Sequence, residues 1–246
     1  MTGSTDDLTD DLTDDLVSPA DYTDHEASWL TVLDELTGSP EIEVSWEQRG
    51  DVDLTAGDPL GSFEDLAEWE GITLDPALAD LNLRFSVLNC QWQTSPEHAF
   101  VAGEFYLTPL ANLVHEDAPD FSSSLWSDEE RRLGGQLRII DEGPVTGAGY
   151  FAALRLQAGV ANPEIWYSDT QSRLWRMDLD YRGYLEVLRI TKGAYDWQHL
   201  FTEAPLRSDE YQRAAEWITD MLTALPEIFP EHDYEPLRAR MAHRLG

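Results

Sequence analysis

Between residues 100 and 181 the chain leaves helical spacing for a two-residue rhythm, and that switch restricts the fold more than any other feature. FVAGEFYL (100–107), QLRIID (136–141), YFAALRLQ (150–157) and EIWYSD (164–169) each read as strands. LWRMDLDY (174–181) shows the rhythm most plainly. There Trp175, Met177, Leu179 and Tyr181 fall on one face, and Leu174, Arg176, Asp178 and Asp180 on the other. That alternation predicts a half-buried antiparallel strand. EGPVTGAG, between the second and third segments, reads as a Gly-rich hairpin loop. It lacks both the Lys-Ser/Thr pair of a P-loop and GxGxxG spacing. It also leads into a strand, so no helix N-terminus faces an anion there.

Helical spacing governs both flanks. Thr23 to Glu26 has the spacing of a capping box, and Trp29, Val32, Leu33 and Leu36 follow before Gly38. A second helix is predicted from Ser62 or Phe63, with Phe63, Leu66, Ala67 and the Trp69–Glu70 pair ahead of Gly71. A third has Asp75 as cap and Pro76 at the first position, running through Leu78 and Leu81 towards Phe85. Beyond the strands, YRGYLEVLRITKG aligns Tyr181, Leu185 and Leu188 and closes at Gly193. A longer amphipathic helix carries Tyr211, Ala214, Ala215, Ile218, Leu222 and Leu225, and a last one surrounds Leu237, Met241 and Leu245. Helices, then an antiparallel run, then helices indicate α+β: a single mixed or antiparallel sheet packed by helices, with additional C-terminal helices.

Charge narrows the function classes. The 48 acids face 16 bases, for a net charge of −32. TDDL occurs three times in succession near the start, and residues 1–22 read as an acidic, disordered leader ahead of one domain spanning 23–246. Residues 1–26 hold nine acids, so the remainder keeps 39 − 16 = 23 excess acids. Such a body repels phosphate backbones and anionic membranes and favours a basic protein partner. Cys90 is the single cysteine, the N-terminus lacks the basic and apolar regions of a secretory signal, and no apolar run is long enough to span a bilayer. These features predict a cytoplasmic protein.

Chemistry-bearing motifs are missing from the pattern. The histidines (25, 98, 115, 199, 232, 243) form no HExxH, and Cys90 with His98 lacks the further ligands that zinc needs. GxSxG is absent. Cys90 follows the apolar stretch Val87-Leu88-Asn89 and reads as an inert buried thiol. The expectation is therefore a non-enzyme with neither cofactor nor metal. The tryptophans 92, 126, 166, 175 and 197 accompany strand patterns and read as packing. Trp166 differs, sharing its face with Glu164 and Ser168. It reads either as an interface anchor or as a residue covered by a second layer. Arg176, Asp178 and Asp180 read either as a solvated face or as a docking surface. The candidate partner-binding residues are Glu164, Trp166, Asp169, Arg176, Asp178 and Asp180.

FEDLAEWEGITLDPALADLNLRFSVLNCQW (63–92) resembles the opening of the SMI1/KNR4, or SUKH, superfamily, where an acidic helix, a short apolar turn and a Pro-started helix lead to the first strand. EIWYSD, LWRMDLDY and YLEVLRITKG resemble its closing strands and following helix, and KGAYDWQHLF a tail found in bacterial members. The resemblance covers about residues 60–203 and leaves helices at about 208–245 outside. It departs from the family at Leu74-Asp75-Pro76, where Leu-Pro is common, and at Asn89-Cys90, where Asn-Gly is common. It implies an α+β, non-enzymatic protein similar to bacterial immunity proteins, which bind and neutralise a toxin, often a nuclease. A regulatory or scaffold role without a toxin is the alternative, and an enzyme built on paired carboxylates a third.

Overall fold

Local signals near the N-terminus set the first elements. The computed structural model describes residues 22–52, 58–113, 115–124 and 126–246, so the leader expectation for residues 1–21 lies outside the described residues. Tyr22, placed in the leader by the sequence reading, packs its ring 6.1 Å from Phe85 and belongs to the folded body. Thr23 Oγ1 accepts from the Glu26 amide at 3.1 Å, and the Glu26 carboxylate accepts from the Thr23 amide at 2.9 Å. This capping box opens helix α1 (Asp24–Gly38), which buries Trp29, Val32, Leu33 and Leu36. Helix α2 (Pro59–Glu70) starts earlier than Ser62, because Asp58 caps it and Pro59 takes its first position. Left-handed Gly71 ends it. Asp75 and Pro76 open a 3₁₀ turn over Pro76–Leu81, which does not extend to Phe85. Asn82 stops that turn and accepts the Ala111 amide on its side-chain oxygen at 2.8 Å.

Among the described residues, seven antiparallel strands follow one another in a meander: β1 (Ile42–Arg49), β2 (Leu88–Thr94), β3 (Ala102–Leu107), β4 (Leu137–Glu142), β5 (Phe151–Arg155), β6 (Glu164–Ser168) and β7 (Leu174–Arg176). The short helices α3 (Leu110–Leu113) and α4 (Asp128–Gly134) lie between β3 and β4, and α5 (Tyr181–Thr191), α6 (Gln212–Ile228) and α7 (Glu235–Leu245) follow the sheet. The expected eight-residue strand at 174–181 is three residues long. Past Arg176 the Met177 amide still reaches the Ile165 carbonyl of β6 at 2.8 Å, but the Asp178 amide turns to the Phe201 carbonyl at 2.7 Å, and the in–out burial continues beyond the strand.

The sheet is pinched in the middle. β3 and β4 share a single register pair, Leu107 with Asp141. Where β4 peels away, the Asp141 carboxylate accepts the Tyr106 amide at 3.0 Å, a side chain standing in for a ladder carbonyl. Residues 193–195, after α5, pair with the rest of β3: the Glu104 amide donates to the Gly193 carbonyl and the Tyr195 amide to Ala102. Gly193 has φ 71°, and a Cβ there would stand 2.7 Å from the Glu104 carbonyl oxygen, so the close approach requires glycine.

The main core includes Trp29 and Leu33 of α1, Trp92 and Phe105 of the sheet, and Tyr184 and Leu188 of α5. Across the opposite face of β4–β6, Phe121 and Trp126 fold over Leu137 and Ala153 in a small second core.

Candidate functional site

The fold separates the six candidate residues of 164–180. Glu164, Trp166 and Arg176 do meet. Trp166 and Arg176 are register partners, Arg176 Nε lies 3.1 Å from Glu164 Oε1, and Trp166 Nε1 donates to Glu164 Oε2 at 3.0 Å. The Arg155 guanidinium stands 5.8 Å over the Trp166 ring and 3.2 Å from the same carboxylate. Partial burial works to raise the Glu164 carboxyl, but the Trp166 and Arg155 hydrogen bonds and the two guanidinium charges outweigh it, holding it below the usual carboxylate range. Trp166 itself is half-buried against the second core, so the covering layer, not a free anchor, describes it.

The other three lie elsewhere. Asp169 is a buried structural hub and not a surface acid: Oδ2 accepts from Tyr211 Oη at 2.9 Å and Trp175 Nε1 at 2.8 Å, while Oδ1 takes the Gln171 and Arg173 amides. Asp178 is exposed and pairs with Arg240 of α7 at 2.8 Å. Asp180 caps α5, accepting the Gly183 amide at 2.7 Å.

Two clusters and one buried thiol have the residue types of chemical sites. Thr202, His199 and Asp196 stand in triad order, with His199 Nδ1 3.3 Å from Thr202 Oγ1 and Nε2 3.9 Å from Asp196 Oδ1. His199 and Thr202 are buried, and burial pushes the His199 imidazole down to about 4. Glu35, Glu231 and His232 could together ligate a cation. Lys192, the only lysine, pairs there with Glu35 and lies 3.1 Å from His232 Nε2, so an ammonium already engages two of those three groups. Burial pulls this ammonium down from its ordinary range, against the pull of Glu35. Cys90 is buried, and burial pushes its thiol up to about 12, which fits the inert thiol expected of it.

The surface offers a different anchor. Trp69, on the last turn of α2, is 65% exposed, and its ring packs 5.6 Å from His115. The buried residues of α2 are Ser62, Phe63 and Leu66; Trp69 continues their spacing, seven residues after Ser62 and three after Leu66, but stands on the last turn, where it lies exposed. Exposed Leu60 lies on the same helix. Glu64 and Glu68 of α2, with Glu116 and Asp117 beside His115, are exposed and form no ion pair among the described residues. Glu70 is the exception, meeting Arg138 at 3.2 Å. An aromatic ring set among unneutralised acids is suited to a cationic protein surface. The sequence reading counted Trp69 among the helix residues and missed this role; its spacing gave no signal, because Trp69 continues the buried stripe and is exposed only by its place on the last turn.

No family model, no curated protein and no solved structure matches the chain.

Proposed function

We propose that this chain is a stoichiometric, non-enzymatic binder of a basic protein, docking through the α2 ridge around Trp69. The observation that carries the reading is a 65% exposed tryptophan packed near His115, on a helix whose exposed Glu64 and Glu68, like Glu116 and Asp117 after His115, form no ion pair among the described residues. The excess of acids steers a cationic partner into encounter, and the buried indole then slows its release. The SUKH resemblance supplies the finer proposal, an immunity protein that occludes a toxin of nuclease type in the cytoplasm. Nucleases grip phosphates with basic surfaces, so the charges complement one another.

Affinity capture from the native host with the full chain, followed by mass spectrometry and a binding titration of the captured protein, tests the reading. A basic protein is expected, held with a dissociation constant that rises with salt. Trp69→Ala is expected to weaken it by about 30-fold, the scale of an interface hot spot. Equal binding by Trp69→Ala overturns the site, and recovery of no basic protein overturns the function.

A further inference from the structure

In a chain with three acids for every base, an arginine without an acidic partner is an anomaly. Three of the 16 bases, Arg182, Arg189 and Arg207, form no ion pair, hydrogen bond or ring contact among the described residues. Two of these three converge. Arg182 and Arg189 are seven residues apart on α5, two turns along one face, and both line a cavity of about 630 Å³. α1 supplies His25 and Ser28 to the opposite wall.

Two residues of this wall carry unsatisfied buried atoms. Arg189 Nε is buried without a hydrogen-bond partner, and so is His25 Nε2. A buried polar atom left unpaired costs stability, and here two such atoms belong to residues that line one cavity. The third guanidinium of the wall, Arg84, is already paired with buried Glu26 at 2.6 Å. Asp24 and Asp80 stand exposed on the wall, and neither is within ion-pair distance of Arg182 or Arg189.

We propose that this cavity binds a small phosphorylated molecule bearing hydroxyl groups. A phosphate monoester carries about −1.5 to −2 at neutral pH, which two guanidiniums match, and their planar donors fit its oxygens. Asp24 and Asp80 are placed to accept from the hydroxyls. Burial first, then the charges of Arg189 and Arg182, press the His25 imidazole down to about 4. A dianion seated between those guanidiniums opposes the second cause and leaves the first, so it shifts the His25 titration upward. The charged groups facing it are Arg182, Arg189, Arg84 and Glu26, with Asp24 and Asp80.

The test is calorimetric titration of the full chain with glycerol 3-phosphate at low salt, with glycerol and citrate as separate arms. Saturable 1:1 binding of glycerol 3-phosphate is expected, glycerol giving none and citrate binding more weakly. Arg182→Gln and Arg189→Gln are each expected to weaken it about tenfold or more, the scale of a charged hydrogen bond. Arg182 is exposed, so its variant keeps the fold even if Arg189→Gln does not. Arg207→Gln, the third unpaired arginine, is expected to leave affinity unchanged. By NMR the His25 ring is expected to titrate at higher pH with ligand than without. No saturable binding, an equal loss in Arg207→Gln, or an unmoved His25 titration overturns the proposal, and tighter citrate binding overturns the phosphate class.

Discussion

In the interior, Glu26, Asp141 and Asp169 each accept two or more hydrogen bonds, from Arg84 and Thr23, from Tyr106 and Tyr184, and from Tyr211 and Trp175. On the α2 ridge, Glu64 and Glu68 are exposed and hold no basic partner among the described residues. The same carboxylate thus does two jobs. Inside, the cost of desolvating a charge is offset only by committed partners, so those acids fix the positions of helices and strands. Outside, water screens the charge, so an acid there contributes little to stability and is available to a partner. Substitutions inside should therefore move stability, and substitutions on the ridge should move binding alone.

The sharpest way to break that division is at Lys192, fully buried and paired with Glu35, whose side chain is 18% exposed. Glu35→Ala strands an ammonium in the interior and is expected to cost about 3–5 kcal/mol. Lys192→Met is expected to cost less, because Glu35 keeps some access to water and a neighbour in His232 at 3.2 Å. The double variant should then be more stable than Glu35→Ala alone, as measured by urea unfolding. A double variant no more stable than Glu35→Ala would show that the pair is not the source of the cost.

A smaller effect is expected at the sheet's pinch. Burial pushes the Asp141 carboxyl up to about 7 from 3.8, despite its hydrogen bonds from Tyr184 and Tyr106. The native protein therefore holds a proton there that the unfolded chain releases near pH 3.8, and stability falls as pH rises from that value to about 7. The difference is worth at most about 4 kcal/mol. Glu26 works in the opposite sense. Burial raises it, but the hydrogen bonds from Arg84 and Thr23 prevail and hold it near about 2, so its contribution is lost as pH falls from 4.5 towards that value. Stability from these two groups peaks at about pH 4–5. Asp141→Asn keeps an acceptor for the Tyr106 amide and cannot ionise. It is expected to flatten the decline towards pH 7 in denaturation midpoints, and an unchanged slope would refute the assignment.

How much of this was legible depended on the range of each signal. The capping box of Thr23 and Glu26 was readable because both halves lie within four residues, and α6 because its apolar stripe is continuous. β1 was not readable as a strand: it is a sheet edge with most of its side chains exposed, and a bulge between Val44 and Trp46 breaks its period. LWRMDLDY showed real in–out burial, but alternation cannot reveal that Phe201 takes the Asp178 amide and ends the ladder. Asp169 was misplaced on the surface for the same reason, since Tyr211, which it binds, lies 42 residues away in sequence. The seven-residue spacing of Arg182 and Arg189 is visible in the sequence; their lack of acidic partners appears only in three dimensions.

The smallest expected effect bears most directly on the comparison. Trp69→Ala removes a large side chain, a change that costs about 3–5 kcal/mol when the residue is buried. Here the ring is 65% exposed, and its one ring contact is with His115, itself exposed. The loss in folding stability is therefore expected to stay within about 0.5 kcal/mol, the range of surface substitutions away from special features. The measurement is a urea midpoint compared with wild type at matched slope. A loss of about 2 kcal/mol or more would mean that Trp69 packs the α2–α3 junction. The ridge would then belong with the interior acids, as structure, and the weakened capture expected of this variant would no longer separate docking from unfolding.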